Sequence, residues 1–402
     1  MYSATHLMIT KFKVHCFKSI ENAELELGNI NVFIGANGSG KSNLLEALGV
    51  LAAAAYGRVD QESLVRRGCR PGGIFEPMFR DAPSERETSV EASDGEARYF
   101  AEFMKSFQKR SLGSEFRREV WEAGGRMLVF RSTLDVTEKG DPKVGLAALK
   151  LATTDPADAA AVFLKTLSGY SIYYPDAAVL RGLMQDPQLR EPIGLSGGGL
   201  VEGVAEVLEH AKAREKLRAE FRESMDWFDD FRAGKTVMVQ STPQLRASIG
   251  PPMLVFLDRF FRKEKGMNLA LFISEVNEGA LYLLFVSVLC LHPAAPKLFA
   301  LENADHGLNP LMARHLMTTM CRWLLDADQP RQVLMTTQNP LVLDGLPLQD
   351  DRVRLFTVDR DNRGTTCIKR FLITDEHKKM AAEGWTLSRM WVNGLIGGVP
   401  NA

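Results

Sequence analysis

The residues best suited to chemistry stand together in "GANGSGKSN", positions 35–43. Gly35, Gly40, Lys41 and Ser42 fit the spacing G-x-x-x-x-G-K-[ST]. In that spacing glycines let backbone N–H groups converge on phosphate, the lysine reaches the outer phosphate oxygens, and the hydroxyl ligates Mg²⁺. Asn37, Gly38 and Ser39 supply the amides between, and Asn43 follows on the same turn, so all of these are candidate nucleotide-binding residues. A triphosphate held this way needs an acid across the metal, and Glu302 ends the apolar run "KLFALE" where such an acid belongs. Ser42 and Glu302 are therefore the candidate metal ligands. Gln338, just after the apolar run "QVLMTT", stands where a polar side chain would sense the terminal phosphate. The expected ligands are ATP and Mg²⁺.

Those side chains need a strand, a turn and a helix behind them. "NINVFIG" has the apolar character of a short buried strand, and "GKSNLLEALGVLAAAA" continues as a helix whose positive N-terminal end faces the same phosphate. Upstream, "MITKFKVHCFKSIENAEL" alternates like an edge hairpin. Between the runs that end in Glu302 and Gln338, "LMARHLMTTMCRWLLDA" has helical spacing and completes a β-α-β unit. The longest apolar stretch, "LYLLFVSVLCL", is about half of the roughly 20 residues that span a bilayer, which predicts a buried helix and no membrane segment.

Taken in order, "FKSI", the phosphate loop, "ISEVNEGALYLLFVSVLCLHP", "LENADHGLNP", "TTQNPLVLDGL" and "LSRMWVNGLIGGVP" resemble the single-chain bacterial ATPases of the RecF and SMC-like branch of the ABC superfamily, a group met in anti-phage operons. The resemblance covers most of the chain, though only the phosphate loop is distinctive alone. It implies an α/β fold with an ABC-type P-loop NTPase core, a mixed sheet flanked by helices, formed by residues 1–84 and 269–402. A mainly helical insert with a few strands is expected over 85–268. No long heptad pattern is present, so the rod-like arms of SMC proteins are absent.

In that family a signature, commonly Leu-Ser-Asp-Gly-Thr-Leu-Arg, begins the helix directly before the acidic strand and reaches a partner's triphosphate. Here the place holds "VNEGALY", which makes Asn277 and Gly279 the implied signature residues. A louder copy, "LSGGG", begins at Leu195. Ser196 lies about 106 residues before Glu302 and Asn277 about 25, and only the latter spacing leaves one helix and a short loop between signature and strand. Gly197 to Gly199 are instead expected to form a turn ahead of the amphipathic "LVEGVAEVLEHAKAREKLRAEF". The family also implies a glutamate after the Mg²⁺ acid and a later histidine. Those places hold Asn303 and Gln338, which with Glu302 are the candidate catalytic residues. Neither amide accepts a proton at neutral pH, so binding is expected to be intact and turnover slow. Asp305 is the nearest spare carboxylate and a candidate substitute base, although the resemblance gives its place to the interface loop.

Composition sets the remaining bounds. With 45% hydrophobic and 25% charged residues the chain has the balance of a soluble globular protein, and its net charge of -1 means any DNA contact needs a local basic patch. "FRR" at Phe116 to Arg118 and "RFFRKEK" at Arg259 to Lys265 mix aromatics with cations, but interspersed acids favour solvated faces over a nucleic-acid groove. Asp359 and Asp361 in "TVDRDNRG" form a carboxylate pair. Only about 60 residues follow Gln338, so a hairpin with a polar turn is expected there and no fused nuclease domain. His306 and His315 offer no metal set. Five cysteines without C-x-x-C spacing, and no signal-peptide pattern, point to the reducing cytoplasm.

Two function classes stay open. One is an ATP-dependent switch, a homodimer or larger homo-oligomer acting with a separate effector from a neighbouring gene in anti-phage defence. The other is a RecF-like ATPase that clamps DNA in repair or chromosome maintenance.

Overall fold

The computed structural model describes residues 8–73, 75–76, 78–80, 87–104, 114–132, 141–242, 245–260 and 270–398. They fall into two compact units, one of Met1–Tyr173, Pro296–Asp305 and Leu324–Ala402, the other of Tyr174–Ala295 and His306–Trp323.

Two six-stranded sheets build the first unit. The antiparallel sheet runs β2 (Ile20–Glu26), β1 (Lys11–Phe17), β4 (Glu87–Ser93), β5 (Ala97–Met104), β6 (Glu115–Ala123), β7 (Arg126–Ser132). The second sheet runs β15 (Thr366–Phe371), β14 (Val353–Arg360), β3 (Ile30–Ile34), β13 (Gln332–Thr337), β12 (Leu298–Leu301), β8 (Ile172–Tyr173), with only β15 antiparallel to its neighbour. Helix α1 (Lys41–Tyr56) touches strands of both sheets and is buried from Asn43 to Ala55, because "NLLEALGVLAAAA" is apolar on every face and such a helix must be interior. Its partners include α4 (Ala159–Ser168), with the short α2 (Gln61–Val65) and α3 (Leu146–Leu151) beside it. Glu119, buried on β6, accepts the amides of Leu146 at 2.7 Å and Ala147 at 3.0 Å and so caps α3 from another element. A 3₁₀ turn (Pro340–Gly345), α10 (Asp375–Ala382) and α11 (Leu387–Val392) complete the unit. Ser388 donates to Asp344 through its amide and its hydroxyl, which ties α11 to the 3₁₀ turn.

Register in the parallel sheet does the positioning. Thr337 and Thr357 both pair with Ile34, and Leu301 pairs with Met335. Gly35, Glu302 and Gln338 thus leave the sheet at one edge, the carboxyl ends of its strands, beside the strand where the order departs in both directions. Ligands of open α/β sheets bind at that place.

The second unit holds α5 (Ala177–Leu180), α6 (Leu200–Glu209), α7 (Ala211–Ser224), α8 (Glu278–Leu291), most of α9 (Pro310–Leu325), and a sheet of β9 (Phe228–Thr242), β10 (Leu245–Asp258) and β11 (Ala270–Phe272). The apolar run at Leu281 to Leu291 forms α8, which packs against α5, α6 and α7 and is buried from Ala280 to Cys290. Among the described residues no helix is long and apolar enough to cross a membrane, and the five cysteines are free.

The domain boundaries differ from the sequence reading. Strands β4 to β7 extend the sheet that β1 and β2 begin, so a division at residue 84 would cut that sheet, and the compact units part at Tyr173 instead. Within 85–268 strands share the segment with helices more evenly than expected. The charged alternation of "ETSVEAS" and "EFRREVWEA" places one half of each strand against α1 and its neighbours, a burial partner that local sequence does not disclose. The cluster beginning at Arg259 lies mostly outside the described residues.

Candidate nucleotide-binding site

The phosphate loop is shaped by what a side chain would strike. Gly40 adopts φ 108°, and a Cβ there would overlap the Thr366 hydroxyl; a Cβ at Gly35 would overlap the carbonyl of Val358. Asn37 and Gly38 form the exposed tip, and Ser39 is buried. Lys41 Nζ donates to the carbonyls of Gly35 at 2.7 Å and Ala36 at 2.8 Å. Burial lowers the Lys41 ammonium to about 8, while the charges of Asp305 and then Glu302 act in the opposite sense.

Ser42 Oγ donates to Glu302 Oε1, joining the first turn of α1 to the end of β12. A hydroxyl and a carboxylate that meet at the N-terminus of α1 are hard oxygen donors of the kind Mg²⁺ prefers, so these residues fit the ion and the triphosphate expected with it. Glu302 is fixed through its own amide, which donates to Tyr173 O at 2.9 Å. The next residue, Asn303, turns the chain: its φ is 51°, a left-handed conformation that Asn tolerates better than most residues, and its amide donates to Thr336 Oγ1 at 2.9 Å. Asn303 and Gln338 are both exposed at this edge. The adjacent threonines serve the loops, Thr336 holding Asn303 and Thr337 Oγ1 accepting the Asn339 amide at 3.1 Å.

Asn43 has a bracing place instead of a phosphate-facing one. Its Nδ2 donates to Ser19 Oγ at 2.7 Å; Ser19 and Thr366 hydroxyls lie 2.6 Å apart, and Thr366 Oγ1 donates to Ser39 O at 2.8 Å. The turn Lys18–Ser19 of the first hairpin therefore supports the loop from below, which gives "FKSI" a mechanical role. Lys18 and Glu46 form an ion pair, both nearly inaccessible, and Glu46 also accepts from Arg70 Nε at 2.6 Å. Burial pushes the Glu46 carboxyl up, but Arg70 and Lys18 outweigh it and hold the carboxyl below its ordinary value. Thr366, Ser19, Glu46 and Arg70 were not marked by sequence reasoning. The available signal was Glu46 itself, a lone acid in an otherwise apolar helix, which requires a buried partner.

Gly35 to Asn43, Glu302, Asn303 and Gln338 thus belong to the first unit, whereas Asn277 and Gly279 belong to the second. Asn277 is the N-cap of α8, its Oδ1 accepting the Ala280 amide at 2.9 Å. A Cβ at Gly279 would meet only ordinary contacts, and the left-handed Gly307 packs against the Glu278 side chain.

The loud Ser196 loop also belongs to the second unit. Asp186 Oδ2 accepts the amides of Ser196 at 2.9 Å and Gly198 at 3.0 Å, and Ser196 is buried. Gly199 then starts α6 in a left-handed conformation. Asp359 and Asp361 both act as local braces. Asp359 Oδ2 accepts the Gly398 amide at 3.1 Å, and Asp361 Oδ1 accepts the Arg363 and Thr365 amides of the β14–β15 turn.

Residues 8–108 match the family described as AAA ATPase domain. Residues 205–344 match a second, described as an AAA domain and naming the AbiEii toxin and the Type IV TA system. A DNA replication and repair protein RecF of Renibacterium salmoninarum is 52% identical over 66 residues, 16% of this chain and 17% of that one. A RecF of an Enterobacter species is 36% identical over 102 residues, covering 22% and 29%. The chain therefore spans less than a third of the length of these relatives. A solved structure titled "Crystal structure of the SmcHead bound to the C-winged helix domain of ScpA" superposes with a TM-score of 0.51 at 12% identity, over 92% of this chain and 99% of that one, a likeness of fold. Matches to AAA-type domains over the two segments that hold the phosphate loop and Glu302, short similarity to RecF and the fold of an SMC head together support a RecF/SMC-like ATPase of the ABC type.

Proposed function

We propose that the protein is a cytoplasmic ATP-dependent switch in which two chains close on two nucleotides and slow hydrolysis reopens them, with a separate effector of an anti-phage system reading the closed state. The observation that carries this reading is the Ser42–Glu302 hydrogen bond beneath a phosphate loop whose lysine is held ready on its own carbonyls. Gly35, Gly38, Ser39 and Gly40 would cradle the phosphates through their amides, and Lys41 would move from the Gly35 and Ala36 carbonyls to the outer phosphates. Ser42 and Glu302 would hold Mg²⁺, which when bound neutralises charge on the transferred phosphoryl group. Asn277 spends its Oδ1 on the α8 cap, and its amide hydrogens remain suited to a partner's terminal phosphate. Asn303 and Gln338 can orient water or phosphate but take no proton themselves.

The test is ATP-induced dimerisation followed by light scattering. Wild type should dimerise with ATP and Mg²⁺, and Gly279→Trp should not, because a bulky residue would hold the signature helix off the partner. A monomeric wild type with ATP bound, or full dimerisation of Gly279→Trp, would count against the switch. The RecF similarity favours a second reading, a dimer that clamps DNA. ATP-dependent, salt-sensitive duplex binding without any effector would select it.

A further inference from the structure

We infer that the Asp305 carboxylate, reached by the turn after β12, takes the proton of the water that attacks the terminal phosphate, the work an acid at position 303 would otherwise do. The inference deepens the ATPase reading and rests on it. Three observations lead here. First, position 303 is committed to backbone shape: Asn303 has φ 51°, its amide is held by Thr336 Oγ1, and its side chain is exposed. A glutamate there would have to adopt a left-handed conformation that glutamate disfavours. Second, the same turn carries Ala304 back into the core, its amide on Thr336 O at 2.8 Å, which anchors the backbone one residue before Asp305. The charges of the Asp305 and Glu302 carboxylates act on Lys41, and that of Asp305 acts more strongly. Third, the two acids differ in occupation. Glu302 accepts the Ser42 hydroxyl, whereas Asp305 Oδ1 is shielded from solvent and has no hydrogen-bond partner among the described residues. An acceptor left in that condition is costly unless a ligand supplies the donor, and an ordered water at the terminal phosphate is such a donor.

In the step, the O–H bond of the water breaks and its proton passes to Asp305 Oδ1. The hydroxide oxygen bonds the terminal phosphorus as the bond to the bridging oxygen breaks, ADP leaves, and Asp305 releases the proton to phosphate or solvent. No oxidant or further reactant is required.

The experiment measures ATP affinity by calorimetry and the chemical step by single-turnover hydrolysis of radiolabelled ATP with Mg²⁺, for wild type, Asp305→Asn and Asp305→Ala, with formate added to the last. Asp305→Asn should bind ATP within about threefold of wild type and lose about 100-fold in the chemical step, the lower end of general-base assistance. Formate should restore part of the rate to Asp305→Ala, a rescue that a merely structural role would not give. Wild-type rates in Asp305→Asn, a loss of ATP affinity equal to the loss of rate, or no rescue by formate would each overturn the assignment while leaving the ATPase reading in place. Failure of wild type to bind ATP would overturn both.

Discussion

Two glycine loops in this chain end in a left-handed glycine that starts a helix, and they are put to opposite uses. In the loop that ends at Gly40 the Ser39 amide donates to Ala36 O at 3.2 Å, and no protein carboxylate is hydrogen-bonded to the loop amides among the described residues. At Gly199 the preceding amides of Ser196 and Gly198 are already spent on Asp186. Both have the glycine-rich shape of an anion nest, but only the second has incorporated its own anion, Asp186, as a structural pin; the first is the one proposed for a ligand. The difference teaches that a glycine-rich stretch specifies a backbone shape, and that the nearest carboxylate decides whether the shape is a site.

The comparison breaks most visibly at Lys41. Lys41→Ala should weaken ATP binding by about 100-fold, near 3 kcal/mol, because a charge-assisted contact is lost where only backbone dipoles remain. Ser196→Ala should leave the affinity unchanged. Equal calorimetric affinities for Lys41→Ala and wild type would remove the distinction between the loops. Next in size, Asp186→Ala should cost about 2 kcal/mol of stability in denaturant titration, since two amides lose their acceptor, with ATP affinity intact. If that variant instead regained its stability in inorganic phosphate, the Ser196 loop would be a latent cradle. Thr366→Val should cost about 1 kcal/mol, by removing the donor to Ser39 O and the Ser19 partner together. A larger effect on ATP affinity than on stability would show that the brace sets the loop's shape for the ligand.

The smallest effect is electrostatic. In the second unit Glu220, buried on α7, accepts from Thr319 at 2.9 Å and Arg322 at 3.0 Å, and His315 Nε2 lies 2.5 Å from it. The Glu220 hydrogen bond raises the His315 pKa above its ordinary 6.5 despite burial. A raised histidine stabilises the fold fully below pH 6.5, and that contribution is lost as pH rises through the raised value. His315→Gln should therefore flatten the decline in stability from about pH 6.5 upward, by under about 1 kcal/mol. An unchanged pH profile in the variant would assign the slope to other groups.

The phosphate loop, its helix, the strands ending in Glu302 and Gln338, the apolar α8 and the β14–β15 hairpin were legible because each depends on local pattern: spacing, apolar runs, turn residues. The edge of the antiparallel sheet was not legible, because β4 takes its register from β1 across a long sequence separation, and β4 and β5 pack against the distant α1. Nor could spacing disclose that Asn43 braces Ser19, that Asn303 is a left-handed turn residue, or that Asp305 Oδ1 is buried without a hydrogen-bond partner among the described residues. By itself the sequence determined which chemistry the chain can attempt, since residue type and spacing define a phosphate cradle. Tertiary structure alone decided which glycine loop gives its amides to a carboxylate of the chain and which hydroxyl meets Glu302, because these depend on where distant segments cross and which polar groups they leave without a partner.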